Sequence, residues 1–294
     1  MSVDGQGYPP ARRDEGAVSQ RGHGSLPMAP HWRGELAPSP VPYVDHRPVQ
    51  TPIRNQGDRA TCLSFASLAC VEAILKEHFG KEVDLSEQFL QFALTGDHGV
   101  EKVDTHAAPA KLARRGVCEE RLAPYELRSA AGLHRSRPPS RDAFRQAFYK
   151  VGTFHSIERR GLAGPSIQNP AYLEELLRAG HDVVTALGIA GAAGGRIRDV
   201  RLDPSGRPLR ANGAHALLLV GYDRRDPAQP HFLFKDSLGV PRTGRGDGYH
   251  LLSYDYVRTY ALSGFIVESV QIDGPPLGPM AVPVHPGSCC AAVH

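Results

Sequence analysis

The 294-residue sequence predicts an α+β fold in two lobes, a helical lobe from the first half and an antiparallel lobe from the second, with a cleft between them. Three observations predict it. The run from Thr61 to Phe79 is apolar over most of a helical circumference and stops at Gly80. Two shorter helical patterns follow before residue 117. From residue 182 onward the apolar residues fall into short runs separated by Gly, Pro and Asp, the punctuation of strands.

In order along the chain, residues 1–40 are rich in Gly, Pro, Arg and Ser with few periodic apolar positions, so a disordered segment is expected. Residues 41–272 read as one domain, and 273–294 as a disordered, Pro-rich tail. The Thr61 helix, carrying Leu63, Phe65, Ala66, Leu68, Val71, Ile74 and Leu75, is apolar nearly all round and so belongs inside the protein. LSEQFLQFAL offers Ser86 as N-cap of a second helix, and a third spans Ala107–Arg115, closed by Gly116. The Arg-rich link 128–142 reads as a solvated loop. In NPAYLEELLRAG, Asn169 caps, Pro170 takes the first helical position and Gly180 ends the helix. Strands are expected at 182–190, 214–222, 231–237, 249–257 and 264–272.

Composition narrows the function. A formal charge of +3 with both signs interspersed implies no nucleic-acid partner. Of 34 basic residues only six are lysine, which reads as a GC-rich, bacterial coding bias. The five cysteines, Cys62, Cys70, Cys118, Cys289 and Cys290, match neither a disulfide framework nor a zinc site, so a reducing compartment is expected. The N-terminus has no apolar leader core, and no run approaches the ~18 residues of a membrane span. The expectation is a cytoplasmic monomer with no membrane partner, no metal and no cofactor.

The chemistry concentrates in NQGDRATCLSFAS, residues 55–67. A thiol attacks carbonyls as thiolate, which is favoured at a helix N-terminus beside an imidazolium. Cys62 has the first half of that setting; a buried structural cysteine is its bland alternative. This stretch resembles the nucleophile motif of the papain-like cysteine peptidases, where Asn, Gln and Gly precede the catalytic Cys and small and aromatic residues follow. PVQTPIRNQG and LSEQFL also resemble that family, as does NGAHALLLVGYD, whose His215 lies roughly 150 residues beyond Cys62. FKDSLGVPRTGRGDGYHL resembles the family's Lys-Asn-Ser-Trp-Gly block, with Asp236 in place of the orienting asparagine and Leu238 in place of the tryptophan.

The resemblance implies a papain-like two-lobe fold with a β-barrel-like right lobe, acting on peptide or protein substrates through an acyl-enzyme. Cys62 would be nucleophile, His215 acid and base, Asp236 the orienter accepting the imidazole Nδ1–H, and Gln56 an oxyanion donor. Leu238 raises the question of how the His215–Asp236 bond is shielded from water. Arg59 stands where the family has a cysteine three residues before the nucleophile, so the usual neighbouring disulfide cannot form, consistent with a reducing location. The family's substrate-binding glycine pair has no clear counterpart in LTGDHGVEKVDTHAAPA. The segment before Val44 is short and lacks the helical pattern of the family's inhibitory propeptides. The full-length chain is therefore expected to bind a thiol-directed epoxide. Two other outcomes share these residues: transfer of the acyl group to an amine or thiol acceptor, as a transferase or deconjugating enzyme, and a peptidase-like binding module without turnover.

Weaker signals are read as structural. GIAGAAGGR (188–196) lacks the Gly-Lys-Ser/Thr of a phosphate loop and reads as a mobile loop. Asp97, His98, Asp104 and His106 read as solvated loop residues, Arg245-Gly246-Asp247 as a turn, Cys70 and Cys118 as core, and Cys289-Cys290 as an inert pair.

Overall fold

The helix from Thr61 organises the molecule. In the computed structural model, which describes residues 39–96, 104–127, 137–193, 197–240 and 247–274, α1 spans Cys62–Phe79 and ends at Gly80 in the left-handed conformation (φ 61°), whose N–H bonds the Leu75 carbonyl. Its faces are buried almost throughout, from Leu63 to Leu75, because it lies between the sheet and the helices α2 (Glu87–Thr95) and α3 (Ala107–Arg115). Ser86 caps α2 by accepting the Phe89 N–H.

The remaining elements in chain order are β1 (Tyr43–Asp45), ahead of α1, then α4 (Arg141–Arg145), β2 (Tyr149–Val151), β3 (Phe154–Ile157), α5 (Pro170–Arg178), β4 (Val183–Ile189), β5 (Ala192–Ala193), β6 (Ile197–Val200), β7 (Gly213–Asp223), β8 (His231–Lys235), β9 (Tyr249–Ser253), α6 (Tyr254–Tyr260), β10 (Ala261–Val267) and β11 (Val270–Ile272). The main sheet runs β3-β10-β4-β7-β8-β9-β6-β5, with β1 also paired to β7, and β2 pairs with β11 apart from it.

β7 shows why the apolar run AHALLLV is almost continuous. Ala216, Leu218 and Val220 face α1 in one core, while Leu217 and Leu219 face α5 and α6 in a second. Both faces are buried, so alternation disappears. Gly221 interrupts the run because β1 crosses there: a Cβ would sit 2.4 Å from the Val44 carbonyl oxygen.

Several details differ from the sequence reading. The β lobe is not barrel-like: the described sheet is open, its second face covered by α5 and α6 rather than by closure on itself. It is also not wholly antiparallel, since β6 pairs with β9 in parallel. The strand expected at 249–257 stops at Ser253, whose hydroxyl accepts the Tyr256 N–H and so starts α6, burying Tyr254, Tyr256, Val257 and Tyr260. The strand expected at 264–272 is two, broken where the N–H groups of Glu268 and Ser269 both turn to the Thr153 carbonyl. GIAGAAGGR is partly ladder: Ala192 and Ala193 pair with β6. The N-terminal segment to residue 38, most of the 128–142 link and the tail from 275 lie outside the described residues.

At the seam between α1 and the sheet sits a cluster of buried charge. Lys235 on β8 donates to the carbonyl and hydroxyl of Thr51, and Glu72 on α1 accepts from the Thr51 hydroxyl and the Leu85 N–H. Nearby Glu87, 4% exposed, is pushed well above the usual carboxylate range by burial, with Glu72 adding like charge. The folded protein thus holds this proton more tightly than the unfolded chain does. The associated stability is present below about pH 4.5 and is lost as pH rises. Glu87→Gln is expected to raise Tm by about 2 °C near pH 7.5, on the order of 1 kcal/mol, and to leave it unchanged near pH 4 by calorimetry. An equal fall in Tm at both pH values would contradict this.

Candidate active site

Cys62 is the first residue of α1. Thr61, in the cap position, makes no side-chain cap; its hydroxyl pairs instead with the Tyr125 hydroxyl at 2.7 Å. No capping side chain therefore takes the first-turn N–H groups; that of Ser64 bonds the Thr61 carbonyl at 2.9 Å, and that of Leu63 reaches the Cys62 thiol. The thiol is largely buried, which raises its pKa. A hydrogen bond with His215, the charge of that ring, and the N–H groups of Ala216 and Leu63 outweigh burial, so the thiol lies below its ordinary range.

His215 sits near the start of β7, opposite Leu187 of β4, where the strand carries it to the mouth of the seam. Its Nε2 lies 2.7 Å from Oδ1 of Asp236, just beyond the end of β8. The carboxylate therefore meets Nε2 and not Nδ1 as the sequence reading had it, which leaves Nδ1 for the thiol. Burial lowers the imidazole pKa, but Asp236 first and Cys62 second overcome it and raise it to about 9. Asp236, buried at 5% exposure, would be raised by burial. Its bonds to His215 and to His250 instead hold it far below the usual carboxylate range.

His250, on β9, has no counterpart in the sequence reading. Its Nε2 lies 2.7 Å from Oδ2 of Asp236, so the carboxylate stands between two imidazoles. Leu238, at 57% exposure, lies mostly in solvent. The Asp236 carboxylate is held by the two rings and the Ser237 N–H, and the residue borders a small cavity lined by Phe65, Ala66 and Leu218. No linear spacing announces His250; the β8–β9 register, which sets it opposite Phe234, brings it within reach.

Gln56 is buried in the loop before α1 and clasped across the seam. Its N–H bonds the Ser237 carbonyl at 2.7 Å, and its Oε1 accepts from the Ser237 hydroxyl at 2.6 Å. One N–H of its side-chain amide goes to the Arg59 carbonyl at 2.7 Å, and the other has no partner among the described residues, so it can meet an oxyanion. Tyr125 donates to the Gln56 carbonyl at 2.8 Å and packs edge-on against Phe65. Arg59, 3% exposed, bonds Gln88 on α2 and the Glu126 carbonyl, with its guanidinium over the Tyr125 ring. A buried cation thus ties this loop to the helical lobe at the position where a disulfide was excluded. Tyr125 was also missed, because its contacts are tertiary.

The other flagged residues do not join the site. Cys70 and Cys118 are buried, and burial pushes both thiols up, Cys118 to about 12. His106 is not a solvated loop residue: it sits directly before α3, without a side-chain cap, and pairs with Glu158 at 3.1 Å, its side chain 23% exposed, while exposed Asp104 accepts the His106 N–H. Asp247 accepts the Tyr249 N–H; Arg245 and Gly246 lie outside the described residues, as do Asp97, His98, Gly194–Arg196, Cys289 and Cys290. Among the described residues no group of His, Cys, Asp and Glu could hold a metal, and no helix is long and apolar enough to cross a membrane.

The arrangement can hold a thiolate beside an imidazolium and offer N–H groups to a nearby negative oxygen. Residues 40–264 match the family described as papain family cysteine protease. The chain is 29% identical over 191 residues to the viral cathepsin of Lymantria dispar multicapsid nuclear polyhedrosis virus, covering 64% of this chain and 48% of that protein, and so spans about half the length of this relative. Its fold is similar to that of xylellain, a cysteine protease from Xylella fastidiosa, at TM-score 0.63 and 22% identity over 79% of this chain and 90% of that one. Bromelain from Ananas comosus, in complex with the E64 inhibitor, gives TM-score 0.54 at 20% identity over 78% and 100%.

Asp236→Asn would keep an acceptor for His215 Nε2–H and remove its charge. The ring should then titrate about one to two units lower, read from His215 side-chain resonances against pH. An unmoved midpoint would show that the carboxylate charge does not set the His215 proton.

Proposed function

The chain belongs to the papain family of cysteine proteases, and from that membership and the site geometry we propose that it hydrolyses peptide or isopeptide bonds with a Cys62–His215–Asp236 triad. The observation that carries the reading is the pairing of Cys62, at the start of α1, with His215, itself held by Asp236 at 2.7 Å.

In the resting state the thiolate and imidazolium form an ion pair. The sulfur attacks the substrate carbonyl, forming the C–S bond and moving the π electrons to oxygen. That oxyanion is met by the Cys62 N–H and the free Gln56 amide N–H, groups fixed before substrate arrives. His215 gives its proton to the departing amine as the C–N bond breaks, leaving a thioester and a neutral imidazole. Water then enters, His215 takes its proton as the oxygen attacks, and collapse releases the acid and restores the thiolate–imidazolium pair. Asp236 stays ionised throughout, holding the ring and balancing its charge.

His215 near pKa 9 places the alkaline end of this cycle high: below it the imidazolium that protonates the amine is present, above it that proton is lost. The proposal takes the enzyme to act as a cytoplasmic monomer on peptide or protein substrates, without nucleic acid, membrane or cofactor. It extends to capture of the full-length chain by a thiol-directed epoxide.

The test is turnover of a fluorogenic peptide panel by the full-length chain. Cys62→Ala is expected to lose at least ~10³-fold in kcat/KM, and Gln56→Ala about 10²-fold, mainly in kcat. Full activity in Cys62→Ala would end the proposal. Aminolysis products dominating over acid when an amine is added would replace hydrolysis by transfer.

A further inference from the structure

We propose that His250 is a positioning residue of this site: by donating to the Asp236 oxygen that His215 does not use, it fixes the carboxylate and shares its charge, and so sets how readily His215 gives up its proton. The catalytic consequence rests on the peptidase reading; the geometry does not.

An ionised carboxylate only accepts hydrogen bonds, at about four lone-pair positions. In Asp236, Oδ1 takes His215 Nε2 and the Ser237 N–H, both at 2.7 Å, and Oδ2 takes His250 Nε2 at 2.7 Å. The two rings thus both carry hydrogen on Nε2. For His215 this directs Nδ1 to the thiol. For His250 it pins a side chain that is 30% exposed. The start of β9 grips Asp236 twice, through the Gly248 carbonyl, which accepts the Asp236 N–H at 3.0 Å, and through His250 two residues on.

The need for a second donor follows from the aspartate itself. A neutral amide would orient an imidazole without adding charge, whereas a carboxylate makes the imidazolium more stable and a weaker acid toward the leaving amine. A donor on the second oxygen draws charge away from the first and stops the carboxylate from rotating. Whether His250 is neutral or cationic, removing it acts in the same direction, making His215 more basic. Among the described residues, the other ionisable groups around the three are Cys62 from α1 and Lys235 from β8. Arg54, Glu72 and Glu87 line the small cavity, about 20 Å³, that Asp236 also borders. Tyr249 and Asp247 flank His250 along the chain. All are unchanged in the variants below.

The test compares His250→Phe, which keeps a ring and removes the donor, with His250→Gln, which keeps an N–H donor, in the full-length chain; His250→Ala serves as donor-less variant if the phenylalanine protein does not fold. The titration of the His215 ring is followed by long-range proton–nitrogen spectra of histidine-labelled protein, alongside peptide turnover. Without the donor, the His215 midpoint is expected to rise by about half a unit or more, with the alkaline limb of kcat/KM following it. kcat should fall about 3–10-fold while KM stays within about twofold, and His250→Gln should return the midpoint to within about 0.2 units of wild type. An unmoved midpoint in the donor-less variant overturns the proposal and leaves His250 a structural residue. A shifted midpoint in a protein that turns over no peptide, wild type included, supports this assignment while overturning the peptidase reading.

Discussion

The packing of α1 against β7 is the constraint on which the rest of the structure depends. It sets the first residue of a helix against the strand that carries an imidazole, and both elements are buried on nearly every side. Cys62 and His215 are therefore placed by the core and not by loops, which limits how far either can drift. The hydrogen bonds around them, from Asp236, Ser237 and the first-turn N–H groups, refine a meeting that hydrophobic burial has already imposed.

Burial has an electrostatic cost that this protein meets with unusual partners. The Asp236 carboxylate, enclosed without an aromatic cover from Leu238, is kept ionised by two imidazoles and a backbone N–H. Arg59 stands three residues before Cys62, and its guanidinium reaches Gln88, the Glu126 carbonyl and the face of Tyr125. A multidentate buried cation can brace a loop as a disulfide would, but it does so reversibly and without an oxidising environment. Gln56 and Ser237 complete the brace from the sheet side, so the loop that carries Gln56 is tied to both the helices and the sheet.

Much of this was legible in the sequence, for specific reasons. Cys62 and Gln56 lie in one short linear stretch, and His215 lies on an apolar strand whose two buried faces left a conspicuous run. Helices announced themselves through caps: Ser86, Asn169 and Gly80 do what their chemistry predicts. What stayed hidden depends on register. His250 reaches Asp236 only because β8 and β9 pair as they do, and Tyr125 bonds Thr61 and Gln56, residues more than 60 positions away. The aromatic residues of YHLLSYDYV suit a strand by propensity, yet Ser253 as a cap and the burial of one helical face decide for α6. The open sheet escaped the same reading, since strand patterns show which faces are apolar but not whether edges meet.

The ion pair is the central claim, and the pH dependence of the Cys62 thiolate ultraviolet absorbance tests it most directly, with Cys62→Ser as the blank for the other thiols and the tyrosines. The account predicts that the thiolate titrates below the ordinary thiol range, because the imidazolium of His215 stabilises it. A single midpoint near the ordinary thiol value of about 8.5 would contradict it and leave two neighbouring groups without a shared proton.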